Sequence, residues 1–159
     1  MTGEVKLRSL PIDQLEVGQA IERTRTVTAE HIRSFAVISG DFNPIHIDAE
    51  YAASTPFGRP IAHGPIILAL TAGIVGMEMP GIGSIGISNS CRFLAPVYAG
   101  DAITYRVEIL TIDSERRRVE LGFTWKNQDD VLVADGGAVV MPPKKAVPLD
   151  GISAPSLKE

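Results

Sequence analysis

Hydrophobic residues along the chain follow two rhythms, and the change between them divides the sequence. After a polar lead-in, Val17-Gly18-Gln19-Ala20-Ile21 and the mixed Thr and Arg residues to Val27 predict a first strand preceded by a turn. Thr28 then offers a helix N-cap, Glu30 suits the first turn, Ile32, Phe35, Ala36 and Ser39 fall at amphipathic spacing, and Gly40 closes the end. A capping box would place Glu at position 31, where His31 stands instead, so His31 is expected to be a solvated residue on the helix surface. From Pro65 to Met77 the chain reads PIILALTAGIVGM, apolar on every side, with Pro65 suited to a first helical turn. A membrane span takes about 20 apolar residues. This run is shorter, so it is expected to be a core helix wrapped by a sheet.

Beyond Pro80-Gly81 the period changes to two. Ile85, Ile87, Asn89, Cys91 and Phe93 form one set, Ile103, Tyr105, Val107 and Ile109 a second, Val119, Leu121, Phe123 and Trp125 a third, and Val131, Val133, Val139 and Met141 a fourth. Turn-rich breaks at Pro96 to Asp101, Asp113 to Glu115 and Asn127 to Asp130 make these antiparallel hairpins. Gly136-Gly137 predicts a bulge or a close approach by another backbone. Residues 143–159 turn to Lys, Pro, Gly and Ser and are expected to lie on the surface or to be disordered. One buried helix followed by antiparallel strands predicts an α+β domain spanning residues 1–159, with the sheet curled around the helix.

Composition narrows the function. At 159 residues, 45% apolar and 21% charged, the chain has material for one globular core. A net charge of -4 argues against a nucleic-acid partner, and the basic run Arg116 to Arg118 reads as a solvated turn. The single Cys91 excludes an internal disulfide framework, and the opening MTGEVKLRSL carries no signal pattern, so cytoplasmic residence is the expectation.

The polar residues that stand out lie between Ser39 and Gly64, SGDFNPIHIDAEYAASTPFGRPIAHG. Asp41, Asn43 and His46 fall within six positions, and Asn43 precedes Pro44, which biases it toward extended backbone. Asp41 and His46 are therefore expected on an irregular, stiffened segment, with a short helix following around Ala49 to Ala53 and Asp48 and Glu50 at its start. A connection this long inside a compact domain is usually functional. His and a carboxylate are the side chains suited to proton transfer near neutral pH. The histidines and Cys91 show no metal-ligand spacing, so no metal is implied. Each residue also has a bland reading, Asp41 as a local cap and His46 as a core histidine. His63 is as readily a structural residue, bonding locally beside Gly64.

The order S-G-D-F-N-P-I-H-I-D, then F-G-R-P-I-A-H-G leading into an apolar helix, then F-L-A-P-V-Y-A-G-D from Phe93 to Asp101, resembles the MaoC-like dehydratases, the (R)-specific enoyl-CoA hydratase family. The resemblance covers roughly residues 15–142. It implies the hot-dog fold and reversible syn hydration of a trans-2-enoyl thioester, without a cofactor. It implies Asp41 and His46 as the pair that holds a water and divides the proton transfers, with Asn43 orienting the site. Gly64, at the helix start, is the expected oxyanion donor, because a free N–H and the helix dipole favour negative charge there. Candidates for substrate contact are His63, Ile67, Leu68 and Thr71, with Arg59, Lys144 or Lys145 for the phosphates of an acyl-CoA. A homodimer or higher even oligomer is also implied. Two alternatives stand beside this reading: a hot-dog acyl-CoA thioesterase, and a non-catalytic acyl-binding subunit.

Overall fold

The computed structural model describes residues 5–152. After a short 3-10 turn at Ile12–Gln14, the elements are β1 (Ala20–Thr26), α1 (Ala29–Ser39), α2 (Pro44–Ile47), α3 (Ala49–Ala53), α4 (Pro65–Met77), β2 (Ile85–Phe93), β3 (Ala102–Asp113), β4 (Arg118–Lys126) and β5 (Leu132–Met141). The strands form one antiparallel sheet in the order β1-β3-β4-β5-β2, with β1 and β2 at its edges. Its inner face carries Ile103, Tyr105, Val107 and Ile109 of β3 and Val119, Leu121, Phe123 and Trp125 of β4, all buried as the alternation predicted. They pack in one core with Ile66, Ile67 and Ile74 of α4. A sheet curled on a central helix is the hot-dog arrangement.

Three features depart from the expectations. α4 has the predicted bounds but is not covered all round: Ile66, Ile67, Thr71 and Ile74 are buried, whereas Ala69, Ala72, Gly73 and Gly76 are exposed. The residues on that open side are small, so an all-apolar composition hid the asymmetry. In β5 the buried residues are Val133, Ala134, Ala138 and Val140, not Val139 and Met141. The register shifts between Trp125 and Lys126 against Ala134 and Leu132, leaving Val133 as the extra residue and inverting the alternation beyond it. The glycines explain a different fact. A Cβ at Gly136 would lie 2.1 Å from the Ser90 carbonyl, and one at Gly137 would lie 2.5 Å from that of Leu121. They mark the close approach of backbones. A second register shift between Gly86 and Ser88 interrupts the alternation expected in β2.

His31 is the third departure. It is half-buried, its Nδ1 accepts the Thr28 N–H at 3.1 Å, and its own N–H donates to Thr28 Oγ1 at 3.1 Å. The imidazole takes the place of the Glu of a capping box and satisfies the same donor. Gly40, at φ 75°, closes α1 in the left-handed region as predicted.

The far end of α4 is fastened by the N-terminal segment and β1. Arg8 donates to the Met77 carbonyl and accepts from Ile82, while the buried Glu78 pairs with Arg23 of β1. Of the expected tail, 143–152 is irregular and in part tied down. Pro142 and Pro143 are buried, and the Val147 N–H donates to Ser9 Oγ at 2.9 Å. Residues 153–159 of that tail lie outside the described residues.

Candidate active site

Between α1 and α4 the chain turns by side-chain oxygens that each accept a backbone N–H two residues on. Ser39 Oγ accepts from Asp41 at 3.1 Å, Asp41 Oδ1 from Asn43 at 3.1 Å, and Asn43 Oδ1 from Ile45 at 3.3 Å. Such local bonds are why Ser, Asp and Asn favour turns. The consequence is a stiff path. Asn43 has the extended backbone that a following proline imposes, but Pro44 opens the one-turn helix α2, so His46 sits on a helix and only Asp41 lies on irregular backbone. That corrects the expectation of a wholly irregular segment. Asp48 caps α3 through bonds from Glu50 and Tyr51, as expected of a short helix start.

With Oδ1 of Asp41 engaged by Asn43, Oδ2 faces the site. It lies 3.9 Å from His46 Nε2 and 4.0 Å from His63 Nε2. The tautomers of both rings follow from their other contacts. His46 Nδ1 is 2.8 Å from the Ile61 carbonyl, and His63 Nε2 is 2.9 Å from the Asp41 carbonyl. A carbonyl oxygen can only accept, so each of those nitrogens carries hydrogen. In its neutral form His46 thus presents its Nε2 lone pair to the Asp41 carboxylate, across a gap too long for a direct bond and suited to one bridging water. The two imidazoles stack with centroids 3.8 Å apart, and Phe35 lies against the outer ring of His63 at 5.0 Å.

Sequence spacing gave no metal set, yet the fold gathers Asp41, His46 and His63 with their ligand atoms within 4.8 Å of one another. The hydrogen bonds decide how the three can be used. His63 spends Nε2 on a carbonyl, and its Nδ1 is buried with no partner among the described residues, which leaves His46 Nε2 and the carboxylate toward the site. Two ligands fall short of the three that a catalytic zinc site keeps.

Gly64 stands at the N-terminus of α4 with Pro65 as the first helical residue. Its N–H has no partner among the described residues, while Ile66 N–H returns to the His63 carbonyl. A Cβ at Gly64 would meet the Phe93 ring at 2.6 to 2.9 Å. Glycine therefore has a steric reason here besides an unused donor. A cavity of about 380 Å³ is lined by His46, His63, Gly64, Ile67 and Phe93 together with the segment Leu94 to Val97, and Asp41 lies outside its lining.

The other candidates are divided among different places. Leu68 and Thr71 line a separate cavity of about 270 Å³ between α4, β2 and β5, with Ala72, Val75 and Val140. The Thr71 hydroxyl donates to the Leu68 carbonyl at 2.8 Å, inside its own helix. Arg59 lies over the Tyr98 ring, 4.0 Å from its centroid, in an outer groove that His46 also lines. Phe93 and its neighbours were not among the residues picked for the site. Their signal was present in the segment F-L-A-P-V-Y-A-G-D, which marked resemblance without showing that it forms a wall of the cavity.

Comparison with known proteins gives a consistent result. A family model described as MaoC like domain matches residues 14–127. The 3-hydroxybutyryl-CoA dehydratase of Methylorubrum extorquens is 41% identical over 140 residues, 88% of either chain. The (R)-specific enoyl-CoA hydratase of Aeromonas caviae is 38% identical over 129 residues, covering 81% of this chain and 96% of that one. Among solved structures, the unliganded R-hydratase PhaJ1 from Pseudomonas aeruginosa superposes with a TM-score of 0.84 at 34% identity, over 96% of this chain and 98% of that one.

Proposed function

Because this chain belongs to the MaoC-like dehydratase family, we propose that it is a hydro-lyase that interconverts a trans-2-enoyl-CoA and the (R)-3-hydroxyacyl-CoA. The observation that carries this reading is the 3.9 Å gap between Asp41 Oδ2 and His46 Nε2, with the imidazole lone pair turned toward the carboxylate. A water held there has an acceptor on each side. Its oxygen forms a bond to the β-carbon, one of its protons passes to the Asp41–His46 pair, and the α-carbon takes a proton from that pair. The pair ends the cycle as it began. Electron density displaced from the double bond collects on the thioester oxygen, for which the Gly64 N–H is the proposed donor. Removing one such donor elsewhere costs about 3 kcal/mol of barrier.

Asn43 supports the pair through its own N–H to Asp41 Oδ1 and by capping α2, which carries His46. Ile67 is suited to the wall nearest the reacting carbons, and the cavity with Leu68 and Thr71 to the acyl tail. Arg59 is the proposed contact for the CoA phosphates. The active form is a homodimer in this reading, since edge strand β2 is exposed along nearly its whole length and one side of α4 is uncovered.

The test follows the loss of enoyl-thioester absorbance with trans-2-enoyl-CoAs of graded length and determines the configuration of the product. Formation of the (R)-3-hydroxy thioester is expected. Release of free CoA in place of hydration, or binding without turnover, overturns the proposal.

A further inference from the structure

We propose that His63 is a positioning residue that couples the two halves of the Asp41–His46 pair, an inference that rests on the hydratase reading and deepens it. One ring touches both members by different forces. Its Nε2–H holds the Asp41 main-chain carbonyl at 2.9 Å, and its face stacks on the His46 ring at 3.8 Å with 28° between the planes. Asp41 is otherwise placed by local turns alone, and its side chain is 49% exposed. Among the described residues, the His63 bond is what fixes the Asp41 main chain from outside its own loop. The His63 side chain is only 1% exposed. It has almost no surface left for a substrate.

The burial also carries a cost that stability alone does not explain. His63 Nδ1 is enclosed without a partner, where an apolar ring of similar shape would leave nothing unsatisfied. What an apolar ring would lack is the Nε2–H donor toward Asp41. The Phe35 ring also packs on His63, with centroids 5.0 Å apart and 46° between the planes. The titratable and charged groups around His46 are Asp41 and His63 in the site, with Arg33 and Arg59 in the outer groove that His46 also lines.

Two variants separate the forces. His63→Phe keeps a flat ring against His46 and removes the donor, whereas His63→Gln keeps a donor and removes the ring. With crotonyl-CoA and the whole chain, His63→Phe is expected to lower kcat about tenfold to a hundredfold, the scale of a small misplacement of reacting groups. KM should stay within about twofold, and the pH profile of kcat/KM should be displaced. His63→Gln should recover part of kcat. A raised KM at unchanged kcat would make His63 a substrate contact, and folded variants with wild-type kcat and pH profile would make it merely structural. Either result overturns the proposal. Histidine nitrogen NMR gives a readout independent of turnover. If wild type hydrates no enoyl-CoA yet the His46 titration moves in both variants, the hydratase reading falls and the coupling stands. If that titration is unchanged, the coupling falls.

Discussion

In the proposed mechanism Asp41 and His46 divide between them what neither can do alone, so removing either should leave a water with one acceptor. Asp41→Ala and His46→Ala are each expected to lower kcat about a hundredfold or more, the range of a lost general acid or base, with thermal unfolding unchanged within a few degrees. Full activity in either variant would sink the assignment. Gly64 allows a sharper experiment, because its Cβ space is occupied by the Phe93 ring. Gly64→Ala is expected to lower kcat strongly. If the methyl acts by crowding Phe93, the Gly64→Ala, Phe93→Ala double variant regains activity; if it acts on the thioester oxygen, the double variant stays inactive, which is the expected outcome. At this scale the sequence was readable where residues are near neighbours. Asp41 and His46 stand five positions apart in one motif, whereas His63 reaches Asp41 across 22 positions, a closure made by folding and by Ile61 pairing with Ile45.

Among the elements, α1 was legible because its signals are local: Thr28 before it, apolar spacing within it and Gly40 after it. Thr28→Ala removes the oxygen that accepts from His31 and should cost about 1 kcal/mol by denaturant unfolding. The strands were legible in existence and less so in phase, since nothing in the residues of β5 announces that Val133 is the extra one. Gly136→Ala is the corresponding stability test. The new Cβ meets a main-chain carbonyl that cannot turn aside, so a loss of about 3 kcal/mol, or a melting temperature lower by roughly 10 °C, is expected. The same β2–β5 pairing carries a pH signature. The Arg92 guanidinium, bonded to both oxygens of Asp135, holds that carboxyl below its ordinary range. A folded pKa below the unfolded one stabilises above the unfolded value, and that contribution is lost as pH falls through the folded value. Asp135→Asn should therefore lower the melting temperature slightly at pH 7 and leave it unchanged near pH 2.

At the scale of the whole molecule, the open side of α4 and the exposed edge strand β2, with Phe93 54% exposed, are surfaces that one chain leaves uncovered. Light scattering on the eluting protein is expected to give about twice the chain mass of 17.0 kDa or an even multiple of it. A monomer at micromolar concentration would count against the dimer. The central helix shows why composition misled at this level. Thirteen residues without a charge read as uniformly buried, but Ala69, Ala72, Gly73 and Gly76 are small enough for another backbone to approach; their spacing puts them on one side, and only the fold shows that this side is uncovered.

The succession of turns from Ser39 to Ile45 has a consequence for how such a protein diversifies. Those bonds run from one side chain to the next residue but one, and the further ties of the loop go to Ile61 and His63 just before α4, so its shape does not draw on the residues around Leu68. If that cavity takes the acyl tail as proposed, substitutions at Val75, Ala72 or Val140, beyond Leu68, alter which chains are admitted while the chemistry is inherited intact. On the proposed function, the loop and the segment before α4 form one reaction centre, and lineages built on it are free to drift in diet without relearning how to handle water.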